Sequence, residues 1–135
     1  TPFYLARVKM VGKSHWAALQ SAIRNGVNIA MGSDQFPWEP NQGTVASIRE
    51  IELYQEAGMT ALQALRIATV NTARMLGAEA DLGLIAPGKY ADIIALDADP
   101  TQDTRALRTL SFVMKGGEVV RHDADPAAIT HTGIY

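Results

Sequence analysis

The sequence predicts an α/β fold in two parts, a helical part that encloses one short strand and a strand-rich part behind it. Three observations carry this. Apolar residues recur at helical spacing on both sides of a short alternating run at 27–31. Beyond Gly77 the helical period stops and short β-rich runs replace it. The 135 residues are 47% hydrophobic and 19% charged, a balance that buries a core and solvates a surface.

Residues 14–25 read as a helix, because Ser14 can cap it, Trp16, Leu19 and Ile23 share a face, and Gly26 suits a left-handed C-terminal position. Val27, Ile29 and Met31 then alternate with Asn28 and Ala30 as in a half-buried strand, which stops at Gly32-Ser33-Asp34. A loop rich in Pro, Asn and Gly follows up to Gly43. Thr44 can cap a second helix carrying Val45, Ile48 and Ile51 and ending at Ala57-Gly58. Thr60 with Gln63 forms a capping-box pattern for a third, with Leu62, Leu65, Thr69, Ala73 and Leu76 expected on its inner face. Past Gly77, residues 82–85, 91–96 and 112–121 read as strands, and Gly116-Gly117 suits a two-residue hairpin turn. Asp99-Pro100 and Asp125-Pro126 mark turns, while 123–135 has no strong period. The texture changes near 77–81, so the expected division is 1–80 and 81–135.

Charge and composition exclude several functions. Twelve basic residues against fourteen acidic ones give a net charge of −2, with no run of either sign to follow nucleic acid or a lipid surface. No stretch approaches the ~18 apolar residues of a membrane span. The lack of cysteine removes disulfides, thiolate nucleophiles and Cys-based zinc sites, and a cytoplasmic location is the expectation, with secretion or a periplasmic location left open. His15, His122 and His131 form no H-x-H or H-E-x-x-H pair, so no complete His-rich metal site arises from local motifs. Glycine-rich phosphate loops and a G-x-S-x-G elbow are also missing. A chain that opens on Thr1 is expected to be an internal or processed piece.

Helix, strand, Asp at the strand's carboxyl end, polar loop, helix is the order of an α/β barrel unit, in which functional groups sit on the loops after the strands. Asp34 occupies that place. Its carboxylate could hold a metal ion and take a proton from water that the ion acidifies. From spacing alone the simpler reading is that it caps the turn or the next helix, as Asp often does through local hydrogen bonds. Spacing leaves both readings open.

The residues also resemble a known family. Gly26-Val27-x-Ile29-Ala30-x-Gly32-Ser33-Asp34 resembles the eighth barrel strand of the amidohydrolase superfamily, in particular its imidazolonepropionase-like and Xaa-Pro dipeptidase-like branch. Glu56-Ala57-Gly58-Met59-Thr60, Ala64-Leu65 and Ala68-Thr69-x-Asn71-x-Ala73 resemble the helices after that strand. Leu76-Gly77, Leu82-Gly83-x-Ile85-x-Pro87-Gly88-Lys89-x-Ala91-Asp92 and Asp99-Pro100 resemble the return into a small β-sandwich, and Val113-x-Lys115-x-Gly117 its last strands. The resemblance runs over roughly 12–121.

It implies the last βα units of a TIM-like (β/α)8 barrel followed by sandwich strands. It implies hydrolysis of a C–N bond, in an amide, peptide or cyclic amide, with water activated by one or two divalent ions, zinc foremost. Asp34 would then bind metal, act as general base and return the proton to the leaving group. The family's other ligands, an H-x-H, a carboxylated Lys or Glu and two further His, have no counterpart in these residues. The expected partners are accordingly a small-molecule or dipeptide substrate and the rest of the barrel, from an upstream segment or a second chain, with the full enzyme a homo-oligomer. A deaminase is the alternative chemistry, and a metal-free scaffold the alternative class.

Gln35, Trp38, Glu39, Asn41 and Gln42 lie on the loop after Asp34, where amides and an indole could hold a peptide-like group. A solvated loop with one packed aromatic is the competing reading. His15 is expected to be a surface or structural residue, and His122 and His131 to be structural. Arg49, Glu50, Glu52 and Glu56 are expected on the solvated face of a helix, and Arg66 and Arg74 likewise. Pro87-Gly88-Lys89 and Asp92 read as structural, a turn and a carboxylate bonded to local backbone.

Overall fold

Four helices, linked by an irregular segment at 27–34 and followed by a three-stranded antiparallel sheet, make up the computed structural model. It describes residues 2–34 and 42–129, with the side chains of 2–9, 11 and 42–45 outside that description. Helix α1 spans Pro2–Arg24, starting well before Ser14. Pro2 at the first helical position and the Leu, Ala, Arg, Lys and Met beyond it favour helix, so Ser14 lies inside it. Its end is as expected: Gly26 has φ +66°, its N–H donates to Ile23 O at 3.1 Å, and Val27 N–H donates to Ala22 O at 3.0 Å.

The alternating run at 27–31 forms no strand among the described residues, because no second strand lies beside it to complete a ladder. Helix α2 covers Gln42–Glu56, so Thr44 lies inside it and the helix begins three residues earlier than a cap at Thr44 predicts. Helix α3, Ala61–Arg66, starts on the predicted capping box: Gln63 N–H donates to Thr60 Oγ1 at 3.2 Å and Thr60 N–H to Gln63 Oε1 at 2.8 Å. A π-helical turn, Ile67–Asn71, leads into α4, Thr72–Met75. The inner face of this helical stretch is Ala61, Ala64, Ile67 and Ala73, while Leu62 and Leu76 point outward at 53% and 64% exposure. Small alanines let α3 approach α2 closely, and the extra residue of the π turn shifts the phase of α4, which corrects the expected face.

The strand-rich part is shorter than predicted at its front. Residues 82–85 are bend and irregular backbone, not a strand, and Gly83 explains why they pack as they do. It has φ +90°, and a Cβ there would stand 3.0 Å from Ala73 Cβ and 3.2 Å from Thr69 O, so only glycine lets this loop lie against the helix. Strand β1 is Ile93–Leu96, β2 Leu110–Lys115 and β3 Glu118–His122, in the order β1-β2-β3. Gly116 and Gly117, at φ +58° and +88°, make the predicted β2–β3 turn. A short 3₁₀ turn, Thr104–Arg108, precedes β2.

The core gathers Ile51 and Tyr54 of α2, Ala64 of α3, Ile67 and Leu107, with Leu19, Ile29, Met31 and Leu96 packed against it. Residues from both sides of Gly77 therefore share one core. Thr104, 1% exposed, reinforces the join by donating its N–H and Oγ1–H to Gln55 Oε1 at 2.9 and 2.8 Å. No helix among the described residues is long and apolar enough to cross a membrane.

Candidate functional site

The segment at 27–34 runs from the end of α1 to Asp34, and helix side chains do for it what a neighbouring strand would otherwise do. Asn71 Nδ2 donates to Ile29 O at 3.1 Å. Met31 N–H donates to Thr72 Oγ1 at 2.9 Å, and that hydroxyl donates in turn to Ile67 O at 2.7 Å. Gly32 N–H donates to Glu50 Oε1 at 3.0 Å. The π turn, α4 and α2 thus each hold a backbone group of the stretch leading to Asp34, those of Ile29 and Met31 partly buried and that of Gly32 exposed.

Asp34 itself is exposed and has φ +49°, the left-handed region. Asp tolerates this conformation better than most residues, at a cost of roughly 1 kcal/mol. Asp34 is the one non-glycine residue with positive φ among the described residues, and it stands at the end of the braced segment. Its carboxylate is a hard oxygen donor of the kind divalent cations take. Among the described residues no group of three or more His, Asp or Glu could hold a metal ion. Asp34 thus offers one such donor and makes no cation site by itself among the described residues.

Gln35, Trp38, Glu39 and Asn41 lie outside the described residues, as does His131. Gln42 is the first residue of α2, and its side chain is also outside them. His15 is exposed on α1, and His122 stacks edge-on against Phe112 at 5.4 Å between ring centres while its Nδ1 accepts from Asp125 N–H at 2.9 Å. His15 is thus a surface residue, and His122 is held in local structural contacts. Arg66 and Arg74 lie at the surface, again as expected.

The acidic face of α2 is corrected in part. Glu56 is exposed and pairs with Arg49 at 2.6 Å, but Glu52 is 5% exposed and takes Arg108 Nε and Nη2 at 2.6 and 3.0 Å with Arg49 Nη1 at 3.2 Å. The Arg108 hydrogen bonds hold its carboxyl below the usual range despite burial. Glu50 is half-buried: Tyr54 Oη and Gly32 N–H both donate to its Oε1, and its Oε2 is shielded from solvent with no partner among the described residues. Burial, then the Glu50 bond, raises the Tyr54 phenol well above its usual range. Sequence reasoning missed Glu50, Asn71 and Thr72 as supports of the site. Asn71 is visible as a motif residue, and Glu50 stands one turn from Tyr54 on the same helix.

The hallmark turn before β1 is structural. Gly88 has φ +86°, and Lys89 Nζ donates to Glu79 O and Ala80 O at 2.6 and 2.9 Å. Asp92 accepts from Gly116 N–H at 2.7 Å and pairs with Lys115, so it clamps the hairpin turn.

Comparison with known proteins agrees with the resemblance. The model of a family described as "Amidohydrolase family" matches residues 5–121. Ochratoxinase of Aspergillus niger is 34% identical over 121 residues, covering 86% of this chain and 24% of that protein. Its crystal structure aligns with a TM-score of 0.75 at 29% identity, over 95% of this chain and 30% of that one. The crystal structure of a Xaa-Pro dipeptidase with bound methionine in the active site aligns with a TM-score of 0.70 at 34% identity, over 78% of this chain and 25% of that one. A 5-methylthioadenosine/S-adenosylhomocysteine deaminase of Moorella thermoacetica is 34% identical over 115 residues, 76% of this chain and 26% of that protein. The chain thus spans about a quarter of the length of the curated relatives it matches.

Proposed function

The chain belongs to the amidohydrolase family, and from that premise we propose that it carries the carboxylate end of a metal-dependent hydrolase site acting on a C–N bond. The observation that carries this reading is Asp34, a strained, exposed carboxylate at the end of a segment braced by Asn71, Thr72 and Glu50. In this reading 27–34 is a strand of a (β/α)8 barrel, residues 1–80 are the end of that barrel, and 81–135 contribute to a small β-sandwich. The remaining barrel comes from an upstream segment of the same protein or from a second chain, in an enzyme that is itself a homo-oligomer. An open apolar groove of about 380 Å³, with Leu76, Leu84, Ile85, Tyr90 and Ile94 along it, supports such an arrangement, since an apolar surface of this kind is normally covered.

Asp34 would hold a divalent cation, zinc foremost, together with ligands from the rest of the barrel. When bound, such a cation supplies Lewis acidity and lowers the pKa of water towards neutrality. Asp34 accepts the proton of the attacking water through its free oxygen and returns it to the leaving nitrogen, the general acid–base role of one carboxylate. Gln35, Trp38, Asn41 and Gln42 follow Asp34 in the sequence and are the substrate-holding groups in this reading. The substrate class is an Xaa-Pro dipeptide or a related acylated amino acid, which the Xaa-Pro dipeptidase likeness supports. The deaminase relative favours a second reading, in which the nitrogen leaves as ammonia; assaying ammonia against free amino acid separates the two.

In the intact protein, Asp34→Asn keeps a residue that tolerates the left-handed backbone and removes the base. Turnover should fall at least about 10²-fold while the fold persists. Chelation should likewise remove activity, and zinc, manganese or cobalt restore it. Wild-type turnover in Asp34→Asn, or in verified metal-free protein, overturns the proposal, whereas an intact fold with neither bound metal nor turnover leaves the scaffold reading.

A further inference from the structure

Glu50 stands out among the side chains that the sequence assigns to a solvated surface. It sits on α2, between Ile48 and Ile51 of the core side, and one of its oxygens receives two donors. Tyr54 Oη comes from one turn along the same helix, and Gly32 N–H comes from the segment that ends at Asp34. The other oxygen is shielded from solvent and has no partner among the described residues. The Oε1 of Glu50 is thus committed to the backbone of another segment rather than to solvent, and that contact gives the side chain a task.

The task is legible in the geometry. Gly32 is two residues before Asp34, and the backbone between them reaches at most about 7 Å, so whatever fixes the Gly32 N–H fixes the base of a short lever. Asp34 at the end of that lever sits at φ +49°, a conformation that persists only when its surroundings enforce it. Asn71 and Thr72 restrain Ile29 and Met31 further back, which leaves Glu50 as the restraint nearest Asp34 among the described residues. An error of about 1 Å in the placement of a reacting group is enough to cost 10²-fold in rate.

We propose that Glu50 is the positioning residue of the Asp34 site, tying α2 to Gly32 so that the carboxylate of Asp34 is held at a constant place and angle. The inference rests on the catalytic reading of Asp34 given above, and it extends that reading to a helix that does not touch the substrate. Tyr54 is the outer support: its hydroxyl occupies the same Glu50 oxygen and limits the side chain to the rotamer that meets Gly32.

The test uses the intact protein and four variants. Glu50→Leu removes the acceptor, Glu50→Asp withdraws it by one methylene while keeping the charge, Glu50→Gln keeps an acceptor without the charge, and Tyr54→Phe removes only the outer support. Turnover and amide hydrogen exchange at Gly32 are measured in each. The expected result is that Glu50→Leu loses about 10- to 100-fold in kcat with KM within about threefold, and Glu50→Asp about tenfold. Both should exchange the Gly32 amide at least about tenfold faster, with the amides of α3 unchanged. Glu50→Gln should restore kcat to within about threefold, and Tyr54→Phe should stay within about threefold throughout. Unaltered Gly32 exchange in Glu50→Asp overturns the proposal, and so does full kcat in that variant once the amide is released. A loss in Glu50→Gln as large as in Glu50→Leu also overturns it, because charge rather than placement would then be at issue. If Glu50→Leu does not fold, Glu50→Asp decides alone. Asp34→Asn run beside them separates the two levels: undiminished turnover there sinks the catalytic reading, whereas loss there with a silent Glu50 series sinks only the positioning role.

Discussion

The segment at 27–34 and the sheet of β1, β2 and β3 carry the same local signal and meet different fates. Both contain β-rich runs that read as strands. The sheet supplies its own partners: Ile93 pairs with Met114, Ile94 with Val113, and Phe112 with His122, around a turn whose glycines adopt positive φ. The segment finds no strand in the described chain and is held by Asn71, Thr72 and Glu50 instead. Period-2 alternation reports that backbone wants a ladder, while the ladder itself depends on what else the chain brings near. The region with the site is thus the one whose order depends on single side chains, and the hairpin is the one whose order is spread over many bonds.

Thr72→Val attacks the first region at its most economical point and should have the largest effect. One hydroxyl accepts from Met31 N–H and donates to Ile67 O across the π turn, and valine matches its shape without replacing either bond. A partly buried N–H left unpaired costs about 1–3 kcal/mol, so urea unfolding should show a loss of roughly 2 kcal/mol. Exchange at Met31 should rise while exchange at Val113 and Arg121 moves only with global stability. Equal local loosening in the hairpin would break the comparison.

Glu52→Gln tests the join between the regions and should cost less. Glu52 links α2 to the turn before β2 through Arg108, with Arg49 as a second partner. Replacing charged hydrogen bonds by neutral ones should cost about 1–2 kcal/mol near pH 7. The sign of the pH effect comes from a folded-state carboxyl held below its unfolded value. Its stabilisation is complete above the unfolded value of about 4.3 and is lost as pH falls through the lower folded one. The gap between wild type and Glu52→Gln should therefore close as pH drops below about 4. A gap that stays constant down to about pH 2 would assign the effect to packing.

Legibility in the sequence divides along the same line. The capping box at Thr60, the glycine ends at Gly26 and Gly77, and the Gly116-Gly117 hairpin are all readable, because each is decided by a few neighbouring residues. The extent of α1, the non-strand at 82–85 and the outward Leu62 are not, since they depend on packing partners distant in sequence. Asp34 is legible through its place after an alternating run and through the family motif. Charge assigns Glu50 and Glu52 to the solvent face, yet each is one turn from a residue of the core side, Tyr54 and Ile48. Their burial is decided by Gly32 and Arg108, 18 and 56 residues away.

The smallest effect is expected from Asp92→Asn, at the tip of the hairpin. Asp92 looks more heavily engaged than Thr72, since it accepts from Gly116 N–H at 2.7 Å and pairs with Lys115, whose ammonium is the main cause of its lowered carboxyl value. Asparagine, however, retains an oxygen for the Gly116 N–H and gives up only the ion pair. That pair stands largely in water, with the Lys115 side chain 62% exposed, where such contacts are worth about 1 kcal/mol or less. The two glycines still set the turn and the β2–β3 ladder still holds both strands. Urea unfolding should consequently shift by under about 1 kcal/mol, shrinking further in high salt as the pair is screened. If Asp92→Asn instead costs more than Thr72→Val, the hairpin is the region that hangs on one side chain, and the contrast between a self-paired sheet and a braced segment is the wrong way round.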